Sequence, residues 1–158
     1  MSCDGSNTVI RDGLSCSVPI SALIMTPFSL PWGSSIWARV TAINAYGSSR
    51  QSLAGNGAII LTIPDAPLSF INLPQVTSAS QIGVSWVEGF SNGGTPVIDY
   101  HLYYDQGVGN YITLASGITT QFYTAVGLTQ GVTYRFKVRS RNAYGTSLDS
   151  AELSILAA

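Results

Sequence analysis

The sequence repeats itself once, at a spacing that matches the size of a small domain. The segment Ile36–Gly47 (IWARVTAINAYG) resembles Tyr134–Gly145 (YRFKVRSRNAYG), and their shared asparagines, Asn44 and Asn142, are 98 residues apart (142 − 44). The same offset aligns Leu30 with Leu128 and Gly33 with Gly131. A period near 100 residues is far longer than the roughly 20–50 residues of solenoid repeats and corresponds to one domain. The sequence therefore predicts a tandem array of two related domains.

A short linker is predicted between the two copies. In Ile63–Pro67, two prolines remove backbone donors and stiffen the chain, as expected between domains. We place the boundary near Pro64, with a first domain over residues 1–63 and a second over residues 64–158. The 158 residues exceed one domain of about 100 residues and are too few for two complete ones. One of the two domains is therefore expected to be partial.

The second domain is predicted to be built from β-strands. Short runs rich in β-branched and aromatic residues alternate with turns rich in glycine, such as Ser91–Gly94 and Gln106–Gly109. No segment of the chain shows a sustained helical period with caps, so the whole chain is predicted to be antiparallel β. The predicted strands of the second domain are Gln81–Val87, Val97–Asp105, Tyr111–Ala115, Gln121–Val126, Thr133–Asn142 and Ala151–Leu156.

Residues 64–156 resemble the fibronectin type III family. Trp86 lies in the second strand, Gly93–Tyr100 leads into the third, and Leu128 with Tyr134 resembles a tyrosine corner. The pattern continues through the alternating residues of the sixth strand, which are Tyr134, Phe136, Val138, Ser140 and Asn142, and ends at Gly145. The resemblance implies an all-β fold of tandem immunoglobulin-like antiparallel β-sandwiches. It does not indicate a ligand, because this fold supports many unrelated functions.

The first domain is predicted to be the partial one. When the offset is applied in reverse, residues 64 to about 98 have no counterpart, so the first domain keeps only its C-terminal strands. Their absence opens one edge in each sheet and exposes half the core. Two explanations stay open: the missing strands belong to preceding sequence of the same chain, or a neighbouring subunit or another copy of the chain donates them.

The two cysteines are predicted to form a disulfide. Cys3 and Cys16 flank the turn-like Arg11-Asp12-Gly13, a spacing that suits a bridge closing a short loop between neighbouring strands in an oxidising compartment. Two buried free thiols are the alternative. A metal site is disfavoured because His101 is the single histidine and four ligands cannot be gathered.

The faces of the repeated strand differ between the two domains. In the second domain the outward positions carry basic residues, which predict either a glycan site or cations paired across strands; we favour the pairs. The outward set of the first domain includes Trp37 and Ile43, which makes that strand apolar on both faces. We identify Trp37 and Ile43 as a candidate assembly interface, with scattered exposed side chains or a contact within the domain as the alternative. The outward basic residues are Arg135, Lys137, Arg139 and Arg141.

Composition excludes several functional classes. With 7 basic and 8 acidic residues and only 9% charged residues, the chain offers no electrostatic attraction for nucleic acid. No run reaches the about 18 apolar residues that span a bilayer, and no export signal is recognisable in this segment. The carboxylates are scattered over turns and strand faces, so we predict no catalytic residues, no cofactor and no enzyme.

These features favour an extracellular or cell-surface structural or adhesive unit that assembles with other subunits or with copies of itself. Such a unit would belong to a filament or a surface coat. A ligand- or glycan-binding module, with loops near Asn92 and Ser147 in contact with the ligand, is the first alternative. An accessory domain of a secreted hydrolase is the second.

Overall fold

A computed structural model describes residues 3–158, which form two compact units divided after Ile60. The first unit contains helices α1 (Thr8–Gly13) and α2 (Ile20–Ile24), followed by strands β1 (Ser35–Ala38), β2 (Ile43–Asn44), β3 (Gly47–Ser48) and β4 (Gly55–Ile59). β1 pairs antiparallel with β4, and β2 pairs antiparallel with β3. Together the four strands form one long hairpin.

The second unit is a two-sheet β-sandwich. Its strands are β5 (Leu68–Asn72), β6 (Gln81–Val87), β7 (Val97–Tyr104), β8 (Ile112–Ile118), β9 (Phe122–Val126), β10 (Thr133–Asn142) and β11 (Leu153–Leu156). One sheet has the order β5-β6-β9 and the other β11-β10-β7-β8, and all pairs are antiparallel. The predicted all-β sandwich fold is confirmed.

The core of the second unit forms around Trp86. Trp86 is 2% exposed, and its ring meets Tyr100 edge to face, with 5.4 Å between ring centroids. Phe70 of β5 packs on it at 6.1 Å, also edge to face. Period-2 alternation explains the inward set of β10, because successive side chains point to opposite faces of a strand. Phe136 and Val138 of that set are fully buried.

A tyrosine corner is present before β10. The backbone N–H of Thr129 donates to the hydroxyl oxygen of Tyr134 over 3.0 Å, and the Tyr134 ring is buried in the core. This bond ties the loop after β9 to the start of β10, which is the arrangement that the sequence predicted from Leu128 and Tyr134.

The first unit adds two short helices, α1 and α2, to an otherwise antiparallel β chain. Arg11-Asp12-Gly13 is the end of α1 and not a turn between strands. Asn7 caps this helix, because its side chain accepts a hydrogen bond from the backbone of Val9 over 2.9 Å. In the second unit β8 pairs only with β7 and β9 only with β6. At the 98-residue offset the segments equivalent to β8 and β9 are residues 14–20 and 24–28, and neither forms a strand in the described part of the chain.

Candidate functional site

The hairpin of the first unit reproduces the β10–β11 hairpin of the second, register included. The pairs Trp37–Asn56 and Ala38–Gly55 match, at the offset of 98, the pairs Arg135–Ser154 and Phe136–Leu153. A bulge at Ile36/Trp37 adds one residue to β4, after which Ile36–Ala58 corresponds to Tyr134–Ile155. The internal repeat is therefore a repeat of structure as well as of sequence.

Serine hydroxyls extend both hairpins in the same way. The backbone N–H of Val40 donates to Ser52 Oγ, and that of Val138 donates to Ser150 Oγ, each over 3.0 Å. One step further along the strand, equivalent bonds of 3.0 Å join Ala42 to Ser49 and Ser140 to Ser147. Each pair of strands thus continues past its regular ladder through side chains, a feature that the sequence analysis did not identify.

The two hairpins differ in what covers them. In the second unit the inward residues Tyr134, Phe136 and Val138 are at most 6% exposed. Of their counterparts in the first unit, Ile36 is half-buried while Ala38 and Val40 are exposed, Val40 to 70%. Among the described residues of the first unit, only Ile60 is buried. A surface that forms a sandwich core in one unit is solvent-facing in the other.

One edge of β1 is also open. β10 pairs with β11 on one side and with β7 on the other. Within residues 3–158, β1 pairs with β4 alone. An open edge presents unpaired backbone N–H and C=O groups that a further strand can bind. The open edge and the exposed inward face together define the open hairpin, residues 35–60.

The asparagines of the two hairpins show what the open hairpin lacks. The side-chain oxygens of Asn44 and Asn142 each accept hydrogen bonds from the backbone two and three residues later. The amide nitrogen of Asn142 also donates to the carbonyls of Thr62 and Asn92, each over 2.8 Å. These carbonyls belong to the segment before β5 and to the loop between β6 and β7. Asn44, which is exposed, occupies the equivalent position in the open hairpin.

The predicted assembly residues Trp37 and Ile43 lie on β1 and β2. Trp37 is 63% exposed and Ile43 is 77% exposed. By offset they occupy the positions of Arg135 and Arg141, on the face opposite Val40. Their role in assembly stays a prediction. The structure adds the inward face, led by Val40, as a second exposed surface of this hairpin.

The four basic residues along β10 are paired with carboxylates. Arg141 binds Asp99, Arg139 and Lys137 both reach Asp149, and Arg135 lies 3.9 Å from Glu152 and 4.0 Å from Asp105. Cation–π contacts add Lys137 over Tyr111 at 4.5 Å and Arg139 over Tyr103 at 5.0 Å. This is the arrangement that we favoured from the sequence, and it does not support a site for an acidic glycan.

The pair of Asp99 and Arg141 gives a pH prediction. Hydrogen bonds from Arg141, one of them 2.9 Å from its Nε, lower the pKa of Asp99 against the opposing effect of burial. A carboxyl whose pKa is lower in the folded than in the unfolded protein stabilises the fold above its unfolded pKa of about 3.9. That stabilisation is lost as the pH falls through the lower, folded pKa.

We therefore expect Asp99→Asn to melt at a lower temperature than the wild type at pH 7, and to lose less of its melting temperature on acidification. Thermal melts of both proteins from about pH 6 to pH 2, where such carboxylates are protonated, test this. Asp12→Asn, at an exposed position of the first unit, is the control. Parallel melting curves for wild type and Asp99→Asn would contradict the assignment.

The structure pairs Cys3 with Cys16, with 5.7 Å between their Cα atoms, inside the usual range for a disulfide. The loop that they close contains α1, and it does not join two neighbouring strands as the sequence predicted. We expect intact-mass measurement of unreduced, denatured protein after alkylation to show no added label, and two labels after reduction. Two labels without reduction would contradict the pairing.

Residues 3–158 contain no group of three or more histidine, cysteine, aspartate or glutamate side chains arranged to hold a metal ion. No helix in the described part of the chain has the length and apolarity needed to cross a bilayer.

Comparison with known proteins assigns the second unit to a domain family. The family model described as the fibronectin type III domain matches residues 65–155. Roundabout homolog 1 of Mus musculus is 28% identical over 129 residues, 80% of this chain and 8% of that protein. Protein sidekick-1 of Gallus gallus is 31% identical over 118 residues, 70% of this chain and 5% of that protein. Brother of CDO of Homo sapiens is 32% identical over 111 residues, 66% of this chain and 10% of that protein.

The chain thus spans no more than a tenth of the length of these curated relatives. Among solved structures, titin domains A168–A170 match 78% of this chain and 41% of theirs, with a TM-score of 0.59 and 20% identity. A human fourth FNIII domain matches 61% of this chain and 80% of its own, with a TM-score of 0.55 and 20% identity. At these identities the structural matches establish the fold.

Proposed function

The chain belongs to the fibronectin type III family, and from that premise we propose that it is a non-enzymatic structural or adhesive module of an extracellular protein. The paired cysteines and the low charge support an oxidising, extracellular setting. The scattered carboxylates and the ladder of ion pairs along β10 supply no catalytic constellation.

The open hairpin is the observation that carries this proposal. Its hydrogen bonds repeat those of β10 and β11, and its inward face and its outer edge are both uncovered within residues 3–158. We propose that strands from outside residues 3–158 complete it as a second sandwich. Such strands come from preceding sequence or from a neighbouring subunit, and head-to-tail donation between subunits would build a filament or a surface coat.

Hydrogen–deuterium exchange tests this function. In the recombinant chain, the backbone amides of residues 37, 39 and 41 are expected to exchange fast. They alternate with the amides of Val40 and Ala42, which bind the serine hydroxyls, and therefore point to the unpaired edge of β1. In material isolated from the source organism, the same amides are expected to be protected by the added strands. Residues 134–140, which are paired on both sides, serve as the internal control and stay protected in both samples.

Fast exchange of the amides of residues 37, 39 and 41 in the native material would contradict the proposal. Electron microscopy of that material then separates the two sources of strands, because only donation between subunits gives a regular polymer. Single particles that contain a longer chain, with the hairpin protected, would support completion by preceding sequence.

Exposed side chains at one end of the second unit favour ligand binding as a second candidate function. Phe90, in the loop after β6, is 93% exposed, and Leu148, beyond β10, is 76% exposed. Ser147, which the sequence placed among the contact residues, is buried and holds the Ser140 amide instead. Binding of the chain to cells of the source organism should fall on Phe90→Ser and Leu148→Ser if this candidate is right, and should be unchanged if it is wrong.

A further inference from the structure

The inward face of the open hairpin is a smaller copy of the β10–β11 face. In two cross-strand pairs the side chains are smaller in the open hairpin. Ala38 and Gly55 stand where the second unit has Phe136 and Leu153. Ile36 and Ala58 stand where it has Tyr134 and Ile155. A third pair keeps the same residues, since Val40 and Ser52 correspond to Val138 and Ser150. One position is larger, because Ile60 occupies the place of Ala157. The net effect is a loss of volume next to β1.

In the second unit the equivalent space next to β10 is occupied by aromatic side chains. The Tyr104 ring of β7 stacks beside Phe136 and Tyr134, with 6.4 and 6.3 Å between ring centroids. A strand equivalent to β7 that paired with β1 would find Ala38 and Ile36 at those positions. Protein interiors are close-packed, and side chains that are missing from a core leave cavities that destabilise it.

Building on the proposed completion of the first unit, we propose that the open hairpin selects its partner by size. Its partner is a fibronectin type III half of non-identical sequence, with core side chains bulkier than those of β5–β9, that fills the space over Ala38 and Gly55. A second copy of this chain is the wrong partner, because its β5–β9 half is shaped for Phe136 and Leu153. The selection prevents identical copies from exchanging halves.

A restored hairpin tests the role of size. In the full chain, Ile36→Tyr, Ala38→Phe, Gly55→Leu and Ala58→Ile together give the open hairpin the side chains of β10 and β11. Gly55 has no positive φ, and a Cβ at this residue would meet only the Ala38 carbonyl oxygen, at 3.9 Å, so leucine fits there. The probe is a polypeptide of residues 61–130, which carries β5–β9. Binding is measured by isothermal titration, and analytical ultracentrifugation checks that each chain is monomeric before the titration.

We expect the restored chain to bind the probe at least ten times more tightly than the wild-type chain. Ala38→Phe alone is expected to give part of the gain, which covers the case in which the fourfold variant misfolds. Two matched controls test whether the probe binds the inward face of the hairpin. Val40→Asp, on the inward face, should abolish binding by the restored chain. Thr41→Asp, on the opposite face, should leave that binding unchanged.

Equal or tighter binding by the wild-type chain would overturn the size selection and leave the proposed completion intact. No binding by the restored chain would also overturn the size selection, because the restored side chains would then not be what the β5–β9 strands recognise. The proposed completion is tested separately, by the exchange of the amides on the open edge of β1.

Discussion

Replacing Trp86 by alanine is expected to lower the free energy of unfolding of the second unit by about 3–5 kcal/mol, the cost of a large-to-small change in a core. Trp86 is 2% exposed and packs edge to face on Tyr100 and Phe70. Its indole nitrogen has no hydrogen-bond partner among the described residues, so the loss is one of packing. The substitution leaves a cavity between the two sheets that the neighbouring rings only partly fill.

Trp37→Ala is the matched control for this substitution. Trp37 is 63% exposed in the first unit, so its removal should change the stability of the second unit by less than about 0.5 kcal/mol. Chemical denaturation followed by far-ultraviolet circular dichroism measures both variants. A loss below about 1 kcal/mol for Trp86→Ala would show that this residue does not centre the core.

Asn142→Ala is expected to destabilise the second unit by about 2–4 kcal/mol, because buried polar groups left without partners each cost about 1–3 kcal/mol. Asn142 is 2% exposed, and its side chain makes four hydrogen bonds with backbone groups. Its donors hold the segment before β5 and the loop after β6, and its acceptor closes the turn after β10. Alanine removes all four bonds at once.

Two further variants resolve the contributions. Asn142→Asp keeps the acceptor but places a buried carboxylate against the carbonyl oxygens of Thr62 and Asn92, so at pH 7 its loss should be at least as large as that of Asn142→Ala. Asn44→Ala removes the equivalent turn bonds at an exposed position, where water replaces them, and should leave the second unit unchanged. Denaturation curves for Asn142→Ala and Asn44→Ala that superimpose would refute the bridging role of Asn142.

The second unit was largely predictable from its residues because strand alternation, turn residues and the tyrosine corner all indicate the same β-sandwich. Alternation in β10 predicted the inward set, and Tyr134 predicted the corner. β5 was missed, since it is short, contains Ser69 at a positive φ of 49°, and shifts register between Leu68 and Ile71. Such an interrupted strand has no clean period of two.

The first unit was less predictable because its helices and strands are short and their sequence patterns are weak. α1 and α2 have six and five residues, too few for a helical period to show in the sequence. The exposure of Trp37 and Ile43 agrees with their prediction as outward residues. The small size of the inward residues Ala38 and Gly55 becomes evident when they are compared with Phe136 and Leu153 at the 98-residue offset.

The serine hydroxyls of the two hairpins have a consequence for variation between repeats. The hydroxyls of Ser49 and Ser52 accept hydrogen bonds from the backbone N–H groups of Ala42 and Val40. The two residues between these serines therefore need not pair with the segment that follows β1. Those residues are Arg50 and Gln51 in one copy and Leu148 and Asp149 in the other, a change of both charge and polarity inside an unchanged set of hydrogen bonds. The serine pair thus keeps the same backbone hydrogen bonds while the dipeptide between them changes. In each copy the second residue of that dipeptide still contacts the arginine of the adjacent segment, Gln51 with Arg39 and Asp149 with Arg139.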